Sequence, residues 1–216
     1  MINTKNYPAP KLNDRECLRY AGTTPQNVSA EERALFEACL TEVDNKLTYK
    51  ICWGRFPVKR EENNLDFSFL QTDSRALMKN LEGCEEVIVF AATIGLEIDR
   101  LIRRYTNLSP AKALFLQAIG AERIESLCDT FCEELKAEGL QLRPRFSPGY
   151  GDLPLELQKD IFRVLDCPRK IGLSLNESLL MSPSKSVTAI IGIGKGETEA
   201  ENKCSACEKS DCAYRG

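Results

Sequence analysis

The segment EEVIVFAATIGLEIDRLIRRYTNLSPAKALFLQAIGAERIESLCDTFCEELKAEG, residues 85–139, decides the fold. It opens with an unbroken apolar run between Glu86 and Gly95. A run of that length predicts a strand covered on both faces, hence a central one. The period then changes. LEIDRLIRRY reads as a helix, and from Ser109, with Pro110 at a favourable first-turn position, a second helix continues to a stop at Gly139. A doubly covered strand followed by two helices places the chain in the α+β class.

Upstream, Ser29 is a helix cap, Glu31 and Glu32 suit the positive end of the helix dipole, and Leu35, Phe36, Cys39, Leu40, Val43 and Leu47 recur at helical spacing. TYKICWGRFPV and LDFSFL are rich in aromatic and β-branched residues, and the EENN between them supplies a turn, so they are expected as paired strands. Residues 1–28 are polar and punctuated by Pro8, Pro10 and Pro25, which predicts an arm lying on the domain rather than part of its core. A short helix is expected over 74–81, an irregular loop over 141–153, a helix over 154–165, and short strands ending in an apolar strand over 187–193. The expected architecture is a single α+β domain over 29–194: a twisted, largely antiparallel or mixed sheet with helices packed on it. A polar cysteine-containing tail, 195–216, follows.

The 216 residues suffice for one good-sized core. Lys and Arg number 29 against 32 Asp and Glu, a net charge of −3, which argues against a nucleic-acid partner. No apolar run reaches the roughly 18 residues of a membrane span, and the first residues lack a signal-peptide stretch, so a cytoplasmic protein with no membrane partner is expected. The count of zero histidines removes imidazole acid–base chemistry, Ser-His-Asp and Cys-His nucleophiles, and HExxH zinc sites. Of the ten cysteines, Cys39, Cys52 and Cys84 sit among apolar neighbours and Cys128 and Cys132 lie four apart on one helical face, and these five read as small core hydrophobes.

The loop RPRFSPGYGD, residues 143–152, gathers fixed-geometry proline, two glycines, two arginines, an aromatic and a carboxylate. Glycine admits a ligand close to the backbone, and arginine grips a carboxylate by two parallel bonds; the alternative is a structural turn with surface arginines. Within it, Arg145-x-x-x-Gly149-Tyr150 resembles the S-adenosylmethionine motif RxxxGY of the activation domain of cobalamin-dependent methionine synthase, and more closely its stand-alone versions in anaerobic bacteria. LNESLLMSPSKSV is similar to that family's strand, turn and strand, with Met181, Pro183, Ser186 and Val187 in matching positions. The likeness spans about residues 110–194.

The resemblance implies a protein that binds S-adenosylmethionine and presents its methyl group to the cobalamin carried by a separate methionine synthase or related corrinoid protein, after accidental oxidation to cob(II)alamin. One electron from a donor such as flavodoxin or ferredoxin gives cob(I)alamin, and methylation traps it. By the same resemblance Arg145 holds the ligand's carboxylate, while Pro148 and Gly149 lie along the ligand. Tyr150 stands near the cobalt face as the residue nearest the chemistry, and Glu125 contacts the ligand from its helix, with Glu122 and Ser126 as neighbouring candidates. A carboxylate suits a cationic sulfonium, and methyl departure needs no proton transfer, so the chemistry tolerates a chain without histidine.

The tail carries Cys204-x2-Cys207-x4-Cys212, a spacing of thiolates that suits zinc or an iron–sulfur cluster, with Cys167, a partner's residue or a substrate as fourth ligand; the alternative is a disordered tail of reduced thiols. These cysteines support a second reading: a non-catalytic metal-binding assembly or electron-transfer subunit of a corrinoid protein. Gly192-x-Gly194-x-Gly196 imitates a dinucleotide loop, but the third glycine is one residue early and no second strand can follow, so it reads as a strand end.

Overall fold

The computed structural model describes residues 1–194. Strand β6 (Glu86–Thr93) is the centre of a four-stranded, fully antiparallel sheet that also contains β1 (Ile2–Tyr7), β2 (Tyr49–Pro57) and β9 (Ser186–Ile193), in the order β1-β2-β6-β9. Alternate side chains of a strand point to opposite faces. In β6 this sends Ile88, Phe90 and Ala92 into one buried cluster and Val87, Val89 and Ala91 into another. The unbroken apolar run therefore serves two cores.

The first face carries α1 (Asp14–Tyr20), α2 (Ala30–Val43), α4 (Glu97–Leu108) and α5 (Pro110–Ala137). Ser29 caps α2 as expected, and the structure adds a reciprocal box in which the Glu32 side chain accepts from the Ser29 backbone. Helix α5, with 28 residues and a span of about 42 Å, is the spine of this face. It buries Phe115, Leu116, Ile119, Leu127, Phe131 and Leu135 at helical spacing. The Phe131 ring meets Phe90 at 5.2 Å and Trp53 at 5.3 Å, locking helix to sheet.

The second face is covered by α3 (Arg75–Asn80), α6 (Gln158–Leu165) and α7 (Cys167–Ile171), with a small sheet of β3 (Lys59–Glu61), β4 (Asn64–Asp66) and β5 (Gln71–Thr72). Strands β7 (Ser174–Leu175) and β8 (Met181–Ser182) form a hairpin before β9. At Gly192 a Cβ would stand 2.7 Å from both Cys84 Sγ and Leu81 Cδ2, so this glycine permits close packing near the end of β9, and Gly196 lies outside the described residues.

Two expectations are corrected. The EENN segment does make a turn, but it joins β3 to β4; β2 pairs instead with β1 and β6. The N-terminal 28 residues are not an arm on the surface. Residues 2–7 form an edge strand of the main sheet, and α1 buries Cys17 and Leu18 completely. Their polarity misleads because an edge strand and a short peripheral helix each turn only a few residues inward, here Tyr7, Cys17 and Leu18.

Candidate functional site

The loop 141–153 runs along the free edge of β9. Arg143 N donates to Gly192 O at 2.9 Å, Phe146 N to Ile190 O at 2.9 Å, and Ile190 N to Phe146 O at 2.8 Å. This strand-like pairing forces consecutive side chains to opposite faces. Phe146 enters the second core, 5% exposed, and Arg145 turns to the α5 side. The two loop arginines thus differ in role. Arg143 Nη2 donates to Glu82 O at 2.7 Å and fastens the loop, whereas Arg145 faces carboxylates.

Arg145 Nη2 donates to Glu125 Oε2 at 2.9 Å. Its Nη1 lies 2.8 Å from Asp129 Oδ1, an ion pair without hydrogen-bond alignment. The Arg145 side chain is 24% exposed, against 45% for Glu125 and 64% for Asp129, so the cluster is an open face with an inner cation and two outer anions. Cys128 and Cys132 lie beneath. Burial pushes both thiols up, and the nearby Arg145 only partly offsets it. They are neutral sulfur floor, not anions. Tyr20, at the end of α1, also borders Glu125: burial, then that carboxylate, raises its phenol.

The rest of the motif turns sharply. Pro148 is buried, Gly149 adopts φ +87°, its N donates to Leu153 O at 2.9 Å, and Tyr150 N donates to Ser147 O at 3.1 Å. A Cβ at position 149 would also meet Leu155 Cδ1 at 3.2 Å, so both backbone and space favour glycine there. Tyr150 is 56% exposed and stands edge-on to the Phe146 ring at 5.3 Å. Asp152 anchors the far end of the loop, accepting from Ser74 Oγ, from Arg75 N at 2.8 Å and from Ala76 N at 3.2 Å at the start of α3. Those hydrogen bonds hold its carboxyl below the usual carboxylate range.

Of the predicted residues, the structure brings Arg145 and Glu125 into contact and places Pro148, Gly149 and Tyr150 on the turn that follows. Glu122 and Ser126 are committed elsewhere. Glu122, 2% exposed, accepts from Arg123, from Ser126 Oγ at 2.6 Å and from Asn13 N at 3.0 Å. The sequence reading omitted Asp129, although its position four residues after Glu125 puts it on the same helical face. It also omitted Tyr20, for which no local pattern exists.

Three cavities of about 560, 560 and 690 Å³ are lined by other residues: the first between α2 and α5, the second between α4 and the β7–β8 hairpin, the third beside α6. Among the described residues no group of three or more Cys, Asp or Glu could hold a metal ion, and Cys204, Cys207 and Cys212 lie outside them. Cys167 is fully buried, its thiol beside that of Cys52 in the second core. No described helix is long and apolar enough to cross a membrane.

The arrangement can hold a small zwitterion: a guanidinium for a carboxylate and carboxylates for a cation. No curated protein matches the chain. Among solved structures it is similar to one described as the MetH reactivation domain bound to AdoHcy, with a TM-score of 0.65, 18% identity, and coverage of 92% of this chain and 80% of that one. That likeness concerns the fold. Residues 59–201, more than half of the chain, match the family model described as vitamin B12 dependent methionine synthase, activation domain, and the chain belongs to that family.

Proposed function

We propose that the chain binds S-adenosylmethionine on the Arg145 face and thereby supports reductive methylation of the cobalamin of a methionine synthase. The observation that carries this reading is the contact of the motif arginine with Glu125, two oppositely charged groups on an open face, with the arginine's loop turning at Gly149 four residues on. Family membership and the solved relative described as bound to AdoHcy support it. The donor set fits the ligand's amino-acid end: Arg145 takes its carboxylate, and Glu125 faces its ammonium or sulfonium. Pro148 and Gly149 lie along it, and the exposed Tyr150 borders the reacting end, toward the corrinoid.

When bound, S-adenosylmethionine supplies an electrophilic methyl group on a sulfonium. The protein's part is to bind and orient, because methyl transfer requires no acid or base from it. Isothermal titration with S-adenosylmethionine, with S-adenosylhomocysteine as comparison, tests the reading. Arg145→Ala is expected to weaken binding at least tenfold with the fold retained, the loss of a charge-assisted anchor. Unchanged affinity sinks the assigned role.

The proposal extends to an electron donor such as flavodoxin or ferredoxin, and to Cys204, Cys207 and Cys212 as ligands of zinc or an iron–sulfur cluster, on their spacing alone. Metal analysis after replacing all three with Ser should show metal lost from the purified protein; equal metal content counts against the ligand set.

A further inference from the structure

We propose that Asp129 sets the affinity and ligand class of the Arg145 face by competing with the ligand's carboxylate for the guanidinium, an inference that rests on Arg145 as the ligand's anchor. A guanidinium offers five N–H donors in a planar fork, and its two terminal nitrogens form one edge that grips a carboxylate with two parallel bonds. Here Glu125 Oε2 stands 2.9 Å from Nη2 and Asp129 Oδ1 stands 2.8 Å from Nη1. That edge is filled from within the chain.

One carboxylate would neutralise Arg145; two leave the cluster with a net charge of about −1. Both come from α5, four residues apart on a helix anchored below by buried Leu127, Cys128 and Phe131, so they cannot separate far from one another. A third carboxylate entering beside them meets repulsion from two anions. The more weakly held is Asp129, 64% exposed and lacking an aligned hydrogen bond, whereas Glu125 keeps its bond and is 45% exposed. Asp129 is therefore the group that yields. A ligand bearing a carboxylate binds by displacing it, and one without a carboxylate leaves it in place.

Asp129→Asn keeps the size of the side chain and removes its charge. For both S-adenosylmethionine and S-adenosylhomocysteine, affinity should rise about two- to fivefold, the scale of one partly exposed ion pair. For 5′-methylthioadenosine, which lacks the amino-acid end, affinity should not change. Equal or weaker binding of the two carboxylate ligands by the variant overturns the proposal, because Asp129 would then support Arg145 or attract the ligand's cation instead.

A second measurement needs no ligand. Labelling of Arg145 by phenylglyoxal, followed by peptide mass spectrometry, should be faster in Asp129→Asn than in the natural protein. An unchanged labelling rate overturns the competition whatever the titrations show. Absence of binding by the unaltered protein would instead count against the S-adenosylmethionine reading, with the labelling result still deciding the role of Asp129.

Discussion

At the scale of single residues, the two arginines paired with α5 glutamates have opposite characters. Glu125 and Arg145 meet on an open face, where solvent screening keeps an ion pair weak and exchangeable. Glu122 and Arg123 meet inside, 2% and 6% exposed, where charge must be matched in full. Arg123 also donates to Pro10 O at 2.7 Å and Lys11 O at 2.9 Å, and Glu122 accepts from Asn13 N at 3.0 Å. The pair thus fastens the N-terminal segment to the spine helix. Glu122→Ala leaves the Arg123 charge buried without its counter-ion and should cost about 3–5 kcal/mol. Urea denaturation measures this, and a loss near that of an exposed pair would show that the backbone carbonyls suffice.

At the scale of elements, β1 covers the outer edge of β2 with six residue pairs in register, from Ile2 opposite Gly54 to Tyr7 opposite Tyr49. Lys5 Nζ adds an ion pair to Glu134 Oε1 at 2.6 Å near the end of α5, and α1 brings Cys17 and Leu18 into the first core. Removing residues 1–22 would uncover an unpaired edge and part of the core. The truncated chain is expected to lose its cooperative thermal transition or to aggregate. A soluble truncated protein melting at the temperature of the intact one would show that the segment is dispensable after all. The loop 141–153 does at β9 what β1 does at β2, and its strand-like pairing is the reason Arg145 and Phe146 reach different faces.

At the scale of the whole molecule, one antiparallel sheet separates two cores, and the Arg145 face lies where the loop beside the sheet edge meets the spine helix. The central strand, the capping of α2, the Pro110 start of α5 and the irregular loop were legible in the sequence. Each depends on neighbours a few residues apart: an apolar run, a capping serine before acidic residues, a proline, a cluster of glycine and proline. RxxxGY was legible for the same reason, as a short motif in a loop of fixed composition. The tertiary structure alone decided that the polar N-terminus joins the core, that β2 pairs with β1 and β6, that Tyr20 comes near Glu125, and that Arg145 reaches Asp129. Those outcomes depend on partners far apart in the chain. The inward face of an edge strand, or the counter-ion chosen by an arginine, is fixed by which surfaces meet after the sheet has formed, and no local pattern of residues encodes that meeting.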